Sequence, residues 1–440
     1  MEIVLNNKST NNTILMFTTR GLCYNSAAFF TSRLSEAFEQ MGYDTLICEL
    51  DMAQEHFHNK DKSEDEENSS CDMIFTSDDE IKLEGFAGRS FKAVIDFNSR
   101  LPRMVMEDGS YYLDNIDAPF YNYILDNPLY HHSTLSCTLR DYNVVLVDTN
   151  HCAYVRKYYP HINNVIFSVL STDRLITAES YNKKIKDIIF PGTYRDPKEY
   201  LNMIMSGDYL GANYKLRYNL KARYSIMDIM KRMLDVMLAD AGLTMQQALL
   251  DVLDNDVDCA MLLQSGYTFN ELMNYTYPVE MYLRNLQRKN IADAFVKNGI
   301  HITVMGDWWD RYEQSDSCYL TWENPVTFSV SALKIAQYSI VLDSSPFFKG
   351  GIHDRIFAGM ANQTAVVTDY SQYKADSKLS GCVSMYRQED YNNCVDISHD
   401  LLINDTKRSE LVDKALDIFE NNYTWKHTAE RIAQTFSVDV

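Results

Sequence analysis

Gly350 and Gly351 stand between an apolar run, Ile340-Val341-Leu342, and a segment whose Ile352, Ile356, Phe357 and Met360 share one helical face. A second apolar run, Ala365-Val366-Val367, follows, so residues 339–369 read as strand, glycine loop, helix, turn and strand. Small residues at that junction let an anion approach the backbone, and the free N–H groups of a helix start carry partial positive charge. His353 and Arg355 at the same helix start would add donors to a diphosphate. An ordinary βαβ unit whose glycines only make the turn accounts for the same spacing, because a glycine pair is weaker than a full phosphate-loop signature.

Proton transfer needs a group at the crevice. Functional groups at the carboxyl ends of parallel strands face that crevice. Asp126 ends a strand-like run in residues 118–132, with His131 and His132 just beyond, and His151 follows the run at 143–148. Histidine titrates near neutrality, so His151 is a candidate base beside Asp126. A packing role for a lone histidine is the competing reading.

The elements that must position these groups alternate between strand and helix. Residues 13–20 read as a strand, followed by a loop, a helix from Ser26 as N-cap to about 41, and a strand at 44–50. Further strands are predicted at 91–99, 118–126, 143–148 and 164–170, with a hairpin-like stretch at 104–113. Residues 54–72, with His56 and His58, are acidic and aperiodic and read as a surface loop. After a linker at 173–186, residues 187–204 open a second α/β unit. Residues 205–275 carry only helical spacing, with a methionine stripe that reads as core. A helix at 280–299, a strand at 300–306, a short helix at 328–339 and a helix pair at 406–435 complete the chain.

Composition narrows the partners. The net charge of −20 repels polyanions at long range, which argues against broad nucleic-acid or anionic-membrane binding. The nine cysteines are scattered without a CxxC pair, so neither a zinc knuckle nor a disulfide framework is indicated. No signal-peptide pattern or membrane-length apolar run is present, and the expected location is cytoplasmic. The thirty tyrosines, many clustered, either stack on sugars or bases or fill domain interfaces with the hydroxyl at the wet edge.

IIFPGTYRDP (188–197), ITVMGDWW (302–309) and residues 339–369, together with YILDNPLYHH (123–132) and residues 144–160, resemble in order and spacing a glycosyltransferase of the GT-B architecture. More narrowly, they are similar to bacterial proteins of the CgeB-like, family 1-type group. The resemblance implies an α/β fold of two doubly wound Rossmann-like domains facing a cleft, with a helical insertion in the second. Residues 1–175 would form the acceptor-side domain. Residues 176–405 would form the nucleotide-sugar domain, with the insertion at about 205–275. Residues 406–440 would be helices able to cross back to the first domain.

The resemblance further implies transfer of a sugar from a UDP- or GDP-type donor to a glycan, protein or small-molecule acceptor. No nucleic-acid partner, metal or separate cofactor is expected. By position, Gly192, Thr193 and Arg195 would face the donor phosphates, and Gly306 and Trp308 would lie near the base. Lys349, Gly350, Gly351, His353 and Arg355 would cradle the diphosphate and sugar. Such enzymes often place a ribose-gripping glutamate where this chain has Ala358; Asp354 or Asp369 would have to substitute. That departure leaves a second reading open, a sugar-nucleotide-binding or scaffold protein that keeps the fold without catalysis. A dehydrogenase is disfavoured, because TTRGLCYNS lacks GxGxxG.

Overall fold

The computed structural model describes residues 12–20, 22–51, 77–177 and 183–436. The acidic stretch with His56 and His58 lies outside the described residues.

Two parallel sheets of six strands carry the fold. The first contains β1 (Thr13–Thr19), β2 (Asp44–Leu50), β3 (Ala93–Phe97), β4 (Phe120–Ile124), β5 (Tyr142–Leu146) and β6 (Asn164–Phe167), in the order β2-β1-β3-β4-β5-β6. The second contains β7 (Ile185–Pro191), β8 (Ile302–Met305), β9 (Leu320–Glu323), β10 (Tyr338–Leu342), β11 (Ala365–Asp369) and β12 (Ser384–Tyr386), in the order β12-β11-β10-β7-β8-β9. Residues of β3, β4, β5, β10 and β11 are buried throughout, as parallel strands covered by helices on both faces must be. The strand order reverses between β1 and β3 in the first sheet and between β7 and β10 in the second, which sets a ligand crevice at each switch point. These are two doubly wound, Rossmann-like domains. β9 and β12 are additions to the sequence reading, and the first long helix begins one residue after its Asn25 N-cap.

Between β7 and β8 the chain is helical. The buried stripe Met227, Met230, Met233 and Met237 of helix Leu220–Ala239 is core, as its spacing predicts. This helical region also leans on the first domain. Phe269 stacks on Tyr158 with ring centres 4.4 Å apart, and the Asn274 amide donates to the Leu129 carbonyl at 2.8 Å.

The end of the chain returns to the first domain. Helix Trp425–Ala433 packs on helix Ser26–Gln40, and Phe436 lies 5.8 Å from Phe38. The Thr428 hydroxyl donates to the Val169 carbonyl, and the Ser171 hydroxyl donates to the Tyr423 carbonyl at 2.6 Å.

A second junction joins the domains through Asp148. One carboxylate oxygen caps helix Thr149–Tyr158 by accepting from the Asn150 and His151 amides at 2.7 and 3.1 Å. The other accepts from the Gly350 amide at 2.7 Å, while the Thr149 amide donates to the Gly350 carbonyl at 3.0 Å. A Cβ at Gly351 would stand 2.2 Å from the Val147 carbonyl, and one at Gly350 2.4 Å from the Thr149 hydroxyl. The glycine pair therefore serves backbone-to-backbone docking of the second domain on the first. Gly351→Ala should overpack this junction and cost about 1–3 kcal/mol, read as a lowered melting temperature; an unchanged melting temperature would show that the loop is not seated there.

Candidate active site

The carboxyl ends of both sheets look onto one cleft of about 290 Å³. Tyr24 and Ser26 follow β1, Asn98 follows β3 and Asp126 follows β4; Gly192, Thr193 and Gly306 follow β7 and β8. His353, Asp354, Arg355 and Ala358 enter from the start of helix Asp354–Ala361. Two residues that line it sit on left-handed backbone, Tyr24 (φ 60°) and Asn98 (φ 47°). Such conformations persist where surroundings impose them. At Asn98 the result is visible: its side chain donates to Asp126 at 2.9 Å and accepts from the Leu125 amide at 2.9 Å. Asn98 thus orients the one candidate base that faces the cleft. Tyr24 crosses to the other domain, where its hydroxyl meets Thr193 at 3.1 Å and Asp307.

A small cavity of about 40 Å³ opens off this cleft, sharing Arg284, His353, Arg355 and Phe348 with it. Arg284 and Arg288, one turn apart on helix Tyr277–Lys297, line it together with Arg355 and Ser344. Arg355 is held by the fully buried Asp343 at 2.8 Å, and Asp343 also accepts from Ser345 (2.7 Å) and Thr368 (2.9 Å). Burial works to raise the Asp343 carboxyl, but Arg355, His353 and Lys374 overcome it and bring it to about 2. Arg284 pairs with the buried Glu280, which also accepts from Tyr130. Burial opposes its charge, yet Glu280, Tyr130 and Asp126 hold the guanidinium firmly protonated.

Arg288 differs. Among the described residues it makes no ion pair; it donates to the Thr193 carbonyl, and its Nε has no partner. It lies against Gly192, where a Cβ would come within 3.0 Å of the guanidinium carbon. Burial, then the neighbouring Arg355 and Arg284, push it down to about 9. The buried Ser344 hydroxyl beside it is also unpartnered. Three guanidiniums with two carboxylate partners and two orphaned donors make a pocket one anion short.

Several expected site residues sit elsewhere. His151 is buried, does not line the cleft and packs 5.8 Å from Phe348; burial lowers its pKa, and it is not placed to meet an acceptor. His132 bonds to the Tyr159 hydroxyl, and His131 is half-buried, with its Nε2 buried and unpartnered. Arg195 is exposed and lies over Trp308 at 4.5 Å, and neither residue lines the cleft. Lys349 turns away to Gln388 and the Ala241 carbonyl, beside a separate apolar cavity. Gly350 and Gly351 spend their backbone on Asp148 and Val147. Asp369 is buried with Lys374 at 3.4 Å and accepts from the Ser345 amide, so it cannot grip a ribose. Asp354, paired with His353 at 2.9 Å, does reach the cleft one turn before Ala358.

Arg284, Arg288, Asp343 and Asn98 were not singled out by sequence reasoning. The signal for the arginines is their four-residue spacing in EMYLRNLQRKN, which ordinarily marks a solvated face. Among the described residues, no group of three or more His, Cys, Asp or Glu side chains is arranged to hold a metal ion, and no helix is long and apolar enough to cross a membrane.

No protein-family model and no curated protein matches the chain. Among solved structures it is similar to T4 phage BGT in complex with its UDP-glucose substrate, with a TM-score of 0.47 and 11% identity over 97% of this chain and 100% of that one. It is also similar to a glycosyltransferase from Rickettsia africae ESF-5, with a TM-score of 0.48 and 9% identity over 98% of each chain. A third is an alpha-glucosyltransferase in complex with UDP-glucose and DNA containing an abasic site, at 0.49 and 11% over 96% and 98%. Likeness at this level assigns no role to any residue of this chain.

Asp343→Asn should cost about 3–5 kcal/mol by leaving Arg355 without its buried partner. The folded carboxyl titrates at about 2, below the usual carboxylate value of about 4. Its contribution is therefore complete above about pH 4 and is lost as pH falls toward 2. Acid denaturation followed by circular dichroism should show that limb flattened in the variant; identical limbs would remove Asp343 from the account.

Proposed function

We propose that the protein is a glycosyltransferase of the GT-B class that takes its sugar from a nucleoside-diphosphate donor, and that it resembles the CgeB-like group. The observation that carries this reading is the anion-deficient pocket of Arg284, Arg288 and Arg355 at the floor of an interdomain cleft. A diphosphate would supply the missing charge and accept from the orphaned Arg288 Nε and Ser344 hydroxyl. In this reading the arginines, with the start of helix Asp354–Ala361, neutralise the leaving group in place of a metal ion.

The acceptor hydroxyl oxygen attacks the anomeric carbon as the bond from that carbon to the β-phosphate oxygen breaks. The nucleoside diphosphate leaves with the electron pair. Asp126, oriented by Asn98, takes the acceptor's proton. Asp354 stands where a ribose hydroxyl can find an acceptor near Ala358.

UDP or GDP at a hundredfold excess over Kd should raise the melting temperature by about 5 °C. Arg288→Met keeps the stem and removes an unpaired buried charge, so the apoprotein should stay folded while this response disappears; a retained response would overturn the pocket assignment. Asp126→Asn should lower kcat at least a hundredfold, on the order of a general base's share, with donor affinity unchanged. Stabilisation by UDP with no donor turnover by the wild type against any acceptor panel would favour a binding protein over an enzyme.

A further inference from the structure

The connection into helix Leu220–Ala239 carries the most exposed tyrosines among the described residues. Tyr214 and Tyr218 are 81% and 88% exposed, and Leu220 and Tyr224 at the helix start are 58% and 63% exposed. Elsewhere Tyr112, Tyr121, Tyr123 and Tyr142 are fully buried. Residues 209–227 contain four cations and no Asp or Glu, in a chain of net charge −20. Lys215 is held by Glu271, and Arg223 lies 4.0 Å from Asp208. Arg217 and Lys221 make no ion pair among the described residues.

Three open rings interleaved with two uncommitted cations match one ligand chemistry well: flat bases on a phosphate chain. A lipid surface asks for apolar side chains that insert, and here only Leu220 could. The strip is also tied to the cleft. Lys215 bonds to Glu271, one turn from Asn274, whose amide donates to the Leu129 carbonyl three residues beyond Asp126.

We infer that residues 214–224 dock a single-stranded nucleic acid segment. The overall negative charge argues against long-range attraction of polyanions, so this docking is short-ranged and local. Binding stands independently of the transferase reading; only the further step, that the docked strand carries the acceptor hydroxyl, rests on it.

Fluorescence anisotropy with a labelled thymidine oligonucleotide tests the strip. Wild type should bind, with affinity falling by about 1.4 log units per tenfold rise in salt, the slope for two neutralised phosphates on a single strand. Tyr214→Ala/Tyr218→Ala/Tyr224→Ala, all at exposed positions, should bind at least about tenfold more weakly. Arg217→Ala/Lys221→Ala should bind more weakly with a nearly flat salt dependence. Absence of binding by wild type, or undiminished binding by the tyrosine variant, overturns the inference. So does ring-dependent binding to phosphatidylglycerol vesicles, or ring-dependent dimerisation in sedimentation, without oligonucleotide binding. The UDP-induced melting shift should be the same in both variants, so failure here is distinguishable from failure of the donor pocket.

Discussion

Asp148 is the residue on which the cleft depends. A single buried carboxylate caps the start of one helix and holds the backbone of the opposite domain, each with a different oxygen. A side chain at Gly351 would meet the Val147 backbone, and one at Gly350 would meet the Thr149, Asn150 and Asp148 side chains, within the space a methyl group would take. It follows that the loop before helix Asp354–Ala361 is located relative to the first sheet, and His353 and Arg355 with it. The relative position of Asp126 on one domain and Arg355 on the other is thereby set by backbone contact, the least adjustable contact a protein has.

Charge in the cleft is organised around an imbalance. Asp343 and Glu280 each hold one arginine in place, and both carboxylates are fully buried, so the pairs act as rigid mounts. Arg288 is mounted by a carbonyl instead, and keeps its charge unanswered. A buried cation without a partner is costly, and an anion placed beside it would relieve that cost. The same logic explains why Arg355 is both structural and available: its NH1 answers Asp343 while the residue still borders the cleft.

Much of the fold was legible because parallel strands are short apolar runs and their helices carry a clear apolar face; β3, β4, β5, β10 and β11 are buried along their whole length. β9 and β12 escaped because LTWE is largely uncovered and SMY is only three residues long. The site was legible in part. Asp126, Gly192, Thr193, Gly306, His353, Asp354 and Arg355 reach the cleft, since strand ends and helix starts converge there by topology alone. His151 misled because a residue just past a strand end can be consumed by helix capping and packing. Glycines at 350 and 351 serve equally for ligand approach and for chain approach, and spacing cannot separate those uses. Arg284 and Arg288 were hidden because helix Tyr277–Lys297 buries polar residues such as Glu280, Asn285 and Gln287 among its apolar ones, which erases the amphipathic pattern.

The chain passes between the halves twice, once after β6 and once before helix Trp425–Ala433, and the two passages are bonded to each other where Ser171 meets Tyr423. Asp173, beside them, accepts from Arg33 of the first domain and from Trp425. Two adjacent covalent crossings, bonded to each other, fasten the halves along one edge. With the Asp148–Gly350 docking as a further fastening, a swing about those crossings would first have to break the backbone contact at Gly350.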